Sequence, residues 1–253
     1  MKKIAIITGA SAGLGQELAR QSVRVFPEIE EYWLIARRED KLRETASLLP
    51  GKNLRLLSLD LCREESFLQL EEALAAEKPE LSLLINNAGC GYLNLVGEGP
   101  LAEATRTIDL NLRALTAVSH LCLPYMQKGG RIINISSIAS FCPNPRMTVY
   151  SASKFYVTAY SRGLHEELRP RGIKVTAVCS GPMDTEFIAL GGIKGKSPMF
   201  DFLPFCKPEQ VAGGALRAAR RGRPVYTPRL FYKFYRLLAK LLPQALMVKF
   251  ART

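Results

Sequence analysis

Apolar residues along this chain come in two arrangements that alternate. Short, nearly unbroken runs lie at Lys3–Ile7, Tyr32–Ala36, Leu54–Leu59, Leu81–Ile85, Arg131–Ile135 and Lys174–Val178. Runs of this length suit parallel strands that are covered on both faces. Between them, stretches near 14–25, 39–48, 64–77, 103–127 and 150–169 repeat their apolar positions with helical spacing. Strand and helix in regular alternation predict βαβ units and an α/β fold with a doubly wound parallel sheet. No solenoid-length repeat or low-complexity linker breaks the order. The expectation is therefore one domain over residues 1–253, with a substrate loop at about 183–208 and an amphipathic tail at about 229–253.

Composition narrows the class further. With 47% hydrophobic and 23% charged residues, the chain is neither disordered nor collagen-like. No stretch approaches the length of apolar sequence that a membrane-spanning helix needs, and the first residues run straight into a strand without a signal-peptide pattern. Six scattered cysteines with no Cys-x-x-Cys pair, and only two histidines, speak for reduced thiols in a cytoplasmic protein and against a metal site. The net charge of +12 sits at one end: from Lys207 onward there are eleven Lys/Arg and a single acid, Glu209.

Candidate chemistry lies where the predicted strands end. The first is followed by Thr8-Gly-Ala-Ser-Ala-Gly-Leu-Gly15. Glycines at 9, 13 and 15 allow a tight turn and close approach of a pyrophosphate to the start of a helix; read alone, such a loop is also a plain turn. The second strand ends Ala36-Arg37-Arg38, with no acid to hold an unphosphorylated ribose and a guanidinium suited to phosphate. That favours NADP(H) over NAD(H), unless the two arginines are only a solvated basic loop. Asp60-Leu61 ends the third run, where Asp60 faces either a cofactor or the next helix as a cap. Asn86-Asn87-Ala88-Gly89 ends the fourth. Asn111 interrupts an apolar helical pattern, and Ser136-Ser137 follow the fifth run. Tyr150 and Lys154 are four apart on a predicted helix, so they share a face. An ammonium there, with the helix dipole, is expected to lower the phenol's pKa towards working pH and make Tyr150 a general acid or base.

Taken together, these motifs resemble the short-chain dehydrogenase/reductase family. The likeness covers about residues 3–227 and rests on the glycine pattern, Asn-Asn-Ala-Gly, Asn111, Ser137 and Tyr-x-x-x-Lys in the family's order and spacing. It implies a Rossmann-type fold and an NAD(P)-dependent enzyme acting on an alcohol or carbonyl. It further implies Tyr150 as acid/base, Lys154 on the nicotinamide ribose, Ser137 on the substrate oxygen, and Asn111 as the anchor of a water leading to Lys154. Cofactor contacts would come from Gly9, Ser11, Gly13, Leu14, Gly15, Arg37, Asp60, Leu61, Asn86, Asn87, Ala88, Gly89, Tyr150, Lys154, Met183 and Thr185. A homo-oligomer, dimer or tetramer, through the helices at 103–127 and 150–169 is also implied. Two departures stand out: Ser180-Gly181-Pro182 replaces the usual Pro-Gly after the sixth strand, and Ala12 stands where some NADP-binding members carry a basic residue.

The segment from Thr185 to Pro208 carries Phe187, Ile188, Leu190, Met199, Phe202, Leu203 and Phe205 with few charges, which points to a lipophilic substrate unless these residues only pack the core. In the tail, Arg229, Lys233, Arg236 and Lys240 form one basic helical stripe among aromatics and leucines, Pro243 breaks it, and Lys249 and Arg252 follow. Such a helix suits a membrane surface; packing on its own core or across a dimer are the rivals. Nucleic acid is not expected, because no binding module accompanies the charge. The reading is an NADP(H)-dependent oxidoreductase acting on a lipophilic ketone or aldehyde. Its alternatives are a silent NADP(H)-binding sensor or scaffold and a 3-ketoacyl-thioester reductase.

Overall fold

Seven strands form one parallel sheet in a computed structural model that describes residues 1–193, 195 and 203–251. The strands are β1 (Lys3–Thr8), β2 (Glu31–Ala36), β3 (Asn53–Ser58), β4 (Glu80–Asn86), β5 (Met126–Ile135), β6 (Lys174–Val178) and β7 (Val225–Tyr226), in the order β3-β2-β1-β4-β5-β6-β7. From β1 the chain winds outward through β2 and β3, then returns to lay β4 on the other side. The carboxyl ends of β1 and β4 thus flank the switch point, where an open α/β sheet leaves a crevice.

Side chains of β1 alternate between two cores. Ala5 and Ile7 face a cluster built with α1 (Gly13–Val25) and α8 (Pro208–Arg220), through Leu18, Ala19, Val211 and Ala215. Ile4 and Ile6 face the opposite cluster, built with α3 (Glu64–Glu77), α5 (Ala114–Cys122) and α6 (Thr148–Glu167), through Leu70, Leu74, Val118 and Leu164. Burial on both faces is why the strands read as unbroken apolar runs. A short α2 (Glu39–Ala46) covers the β2–β3 connection.

The helix expected over 103–127 is divided. α4 (Leu101–Ile108) passes into one wide π turn at Asp109–Arg113 and then into α5, and a turn at Leu123–Tyr125 containing Pro124 ends it. Proline has no amide to continue the ladder, so β5 begins at Met126, earlier than its apolar run indicates. The stretch Gln127-Lys-Gly-Gly130 has no apolar residue to mark that beginning.

Beyond β6, α7 (Glu186–Leu190) lies in the segment expected to be a substrate loop, whose Met199 and Phe202 lie outside the described residues, as does Arg252. The tail forms α9 (Leu230–Leu241) and α10 (Gln244–Phe250), separated at Pro243 as the sequence predicts. Arg229 is not in the helical stripe: it precedes α9 with φ +57°. Within α9, Tyr232 is fully buried, and its hydroxyl donates to the Pro204 carbonyl at 2.8 Å. The tail is thus docked on its own domain. Tyr235 and Ala239 also pack inward, against Cys142 and Met247.

Candidate active site

A cleft of about 760 Å³ opens at the switch point. One wall is the glycine loop. Gly9 and Gly13 have φ of +63° and +54°, values that a side chain would strain, and a Cβ on Gly15 would overlap the Gly9 carbonyl. Ala12, ahead of α1, has no side-chain cap, and α1 has no acid in its first turn. Its amides and dipole are therefore free to receive an anion. Asn87 ties this loop to the end of β4: its Nδ2 donates to the Thr8 and Gly9 carbonyls, at 3.1 and 3.0 Å. Thr8 Oγ1 accepts from the amides of Asn87 and Ala88. Ser11, Leu14, Arg37, Asp60, Leu61, Gly89, Met183 and Thr185 all line the cleft, with Thr185 closing against Gly13. A glycine-rich loop, an uncapped helix start and a neighbouring guanidinium fit a dinucleotide phosphate.

Asn86 is not part of this wall. It is buried behind it, donating to Ser119 Oγ and Asn134 Oδ1 at 3.0 and 2.9 Å. Strand alternation puts neighbouring residues on opposite faces, so Asn87 reaches the cleft and Asn86 braces β4 to β5 and α5. Asp60 does not cap α3, which begins at Glu64. Its carboxylate accepts from the Cys62 amide and lies 3.7 Å from the Arg106 guanidinium.

The opposite wall carries Ser137, Tyr150 and Lys154. Ser137 lies just beyond β5, its hydroxyl accepting the Ala139 amide at 3.1 Å and hydrogen-bonded to the Tyr150 phenol. Tyr150 is in the first turn of α6, and Lys154 Nζ lies one turn on, 5.6 Å from the centre of the phenol ring. The ammonium donates to the Ile135 carbonyl at 2.9 Å. Ser136 Oγ donates to the Lys154 carbonyl at 3.0 Å, which holds α6 to the end of β5.

One electrostatic expectation is reversed. The Tyr150 pKa is raised to about 12, because burial of the phenol outweighs the Ser137 hydrogen bond that would lower it. Lys154 does not acidify it: its Nζ is turned to a backbone carbonyl, and burial lowers its own pKa to about 8.

Asn111 lies in the π turn and is buried. Its amide group is engaged on every side, donating to the Cys90 carbonyl and Ser153 Oγ at 2.9 Å each and accepting the Cys90 amide at 2.9 Å. It clamps the loop after β4 to α6, close behind Lys154 and Gly89. The side chain is therefore a brace between that loop and α6.

Gly91 lines the cleft without having been a candidate from the sequence, whereas Phe187, Ile188, Leu190 and Leu203 of the apolar segment after Thr185 do line it. Gly91 packs so closely on Tyr150 that a Cβ would overlap the ring; the glycine itself was the available clue. Phe187 lies 5.5 Å from Tyr150, centre to centre, and with Met147, Ile188, Leu190 and Leu203 makes the far side of the cleft apolar. Arg38 reaches over the cleft to Glu186 of α7, 2.6 Å away, whereas Arg37 has no ion pair among the described residues.

Residues 3–190 match the family model described as short chain dehydrogenase. An uncharacterised oxidoreductase of Staphylococcus saprophyticus is 32% identical over 192 residues, 72% of this chain and 79% of that protein. A short-chain dehydrogenase from Sphingobium yanoikuyae, solved in complex with NADPH, superposes with a TM-score of 0.80 at 29% identity, covering 98% of this chain and 95% of that one. The bulky-bulky ketone specific alcohol dehydrogenase from Comamonas testosteroni gives 0.76 at 26% identity, over 96% and 93%. With the glycine cradle and the Ser137–Tyr150–Lys154 group in one cleft, these matches place the chain in the short-chain dehydrogenase/reductase family, as an NAD(P)-dependent oxidoreductase acting on CH–OH.

Proposed function

We propose that this enzyme uses NADP(H) to interconvert an alcohol and a ketone or aldehyde on a lipophilic substrate. The observation that carries the reading is the convergence of the Ser137 hydroxyl, the Tyr150 phenol and the Lys154 ammonium on one cleft with the glycine cradle. When bound, the nicotinamide supplies or takes the hydride; the protein supplies position and proton. In reduction, Tyr150 donates the proton to the carbonyl oxygen, and a phenol with a pKa of about 12 is fully loaded for that at neutral pH. Ser137 donates a hydrogen bond to the same oxygen. Lys154, charged below about pH 8, is the proton reserve beside them, and Asn111 fixes the loop against which it sits.

Preference for NADP(H) rests on Arg37, a cleft-lining guanidinium at the end of β2 without an ion pair among the described residues, and on Ala36 where an acid would repel a 2′-phosphate. The NADPH held by the Sphingobium enzyme agrees with it. Lipophilicity rests on the apolar wall around Tyr150: Met147, Phe187, Ile188 and Leu190. The Comamonas enzyme, specific by name for bulky ketones, is consistent with such a wall. Oligomers would form through a groove of Ile108, Leu112 and Tyr156, on the helices the family reading picks out, with Phe67 and Leu68 of α3 on its other side. Six unpaired thiols suit the reducing cytoplasm.

The test is a panel of steroid, aliphatic and acyl-thioester ketones, assayed with NADPH and NADH on the wild type and Tyr150→Phe. Turnover on at least one ketone should fall by at least about two orders of magnitude in the variant, the scale of a lost general acid, with NADPH binding retained. A variant as active as the wild type removes Tyr150 from the chemistry.

A further inference from the structure

Helix α9 has its apolar residues on the wrong side for a helix that only packs on a core. Leu230, Phe234, Leu237 and Leu241 follow at intervals of four, three and four, and so lie in one stripe. They are 80, 59, 51 and 71% exposed. The inward side, opposite that stripe, carries Tyr232 and Ala239, with Tyr232 seated on Gly181 and Pro204. Phe231 beside the stripe, and Leu242 and Leu246 just beyond it, are exposed as well. An exposed apolar stripe of this continuity on a docked helix marks a contact surface.

The charge beside it selects the partner. Lys233, Arg236 and Lys240 flank the stripe along one side, and from Arg229 to Thr253 there is no acid. A second copy packed antiparallel on this face would bring the two rows of cations together, and the tail of either copy offers no acid to answer them. A surface that is apolar beneath and anionic above satisfies both features: leucines and phenylalanines enter the acyl boundary while lysine stems carry their charges up to the phosphates. We propose that α9 lies flat in the interface of an anionic lipid bilayer, with Leu230, Phe234, Leu237 and Leu241 inserted and Lys233 and Lys240 on the headgroups.

Attachment there has a bearing on the cleft. α9 rests on Gly181 through Tyr232 and on Phe141 through Tyr235, whose rings are 6.2 Å apart, and Gly181 lines the cleft. The bilayer would lie on the far side of a helix in contact with the cleft's own wall. The surface goes beyond the proposed reaction and does not depend on it.

The full chain, without cofactor or substrate, should be sedimented with vesicles of phosphatidylcholine alone and of an equal mixture with phosphatidylglycerol. The wild type should bind the mixed vesicles at low salt, bind the neutral ones far less, and be released as salt rises. Phe234→Ser with Leu237→Ser should weaken binding at least about tenfold, in line with loss of buried apolar area. Lys233→Gln with Lys240→Gln should weaken it about tenfold or more on the mixed vesicles alone. Unfolding midpoints confirm that the variants fold. The exposed lysine pair leaves no core contact to lose, so it keeps the test valid if the serine pair misfolds. Failure of the wild type to bind mixed vesicles overturns the proposal, as does undiminished binding by both pairs. Self-association abolished by the serine pair, with no vesicle binding, would assign the face to a second copy instead. Each result is read without turnover and leaves the oxidoreductase reading to its own assay.

Discussion

At the scale of the residue, Lys154 is the costliest group in the cleft. Its folded pKa of about 8 lies below its ordinary 10.5. Between those values the unfolded chain binds more protons than the folded one, so stability rises with pH across that window, and the cost of charging Lys154 is fully present below it. Lys154→Met should therefore be more stable than the wild type at pH 7, by up to about 3 kcal/mol, with the gain vanishing above the ordinary lysine pKa. Urea unfolding of both proteins across that range checks it, and the same variant should be inactive. Catalytic groups held against the stability of the fold are a common trade. Arg37 poses the complementary question. Removing a charge-assisted contact to a 2′-phosphate, worth about 1.5–3 kcal/mol, should raise the NADPH KM by roughly tenfold or more in Arg37→Ala and leave the NADH KM nearly unchanged. Equal effects on the two cofactors would make Arg37 a solvated surface residue.

At the scale of the element, Gly181 and Tyr232 are one unit. A Cβ at residue 181 would overlap the Tyr232 ring, so Gly181→Ala should cost about 1–3 kcal/mol by overpacking. The same change in a Tyr232→Ser background should cost far less, a non-additivity that a double-mutant cycle by thermal unfolding would reveal. This contact also marks the limit of what was legible beforehand. The glycine loop, Asn87, Ser137, Tyr150 and Lys154 could be read because strand ends and helical spacing are local properties. Asn86 and Asn87 share their chemistry, and only strand alternation separates the buried one from the one on the cleft. The Tyr150 pKa was misjudged because spacing along a helix fixes which groups are neighbours but not which carbonyl an ammonium turns to, nor how much water remains. Tyr232 could not be placed at all: its partners, Gly181 and Pro204, are distant in sequence, and the basic stripe drew attention to the outer face of the same helix. β7 was missed because two residues carry no periodicity.

For the whole molecule, charge and apolar surface are divided between its faces. The stretch from Lys207 onward carries most of the net positive charge, while the groove of Phe67, Leu68, Ile108, Leu112 and Tyr156 has charges of both signs at its rim, Glu64, Glu71 and Arg113. Self-association through that groove would bury Leu112 against a second copy. Leu112→Glu should then lower the mass seen in sedimentation by at least half without changing the unfolding midpoint by more than a few degrees, since the residue is only partly buried in one chain. An unchanged mass would move the contact elsewhere.

The seating of Tyr232 under Gly181 has a consequence in time. During synthesis α9 is made after every strand of the sheet, so a nascent chain that has already emerged through β7 still has an unsupported segment at 181, beneath the nucleotide crevice. A chain made only as far as β7 would lack the ring on which Gly181 rests, so this part of the crevice wall gains its backing only after α9 has been synthesised.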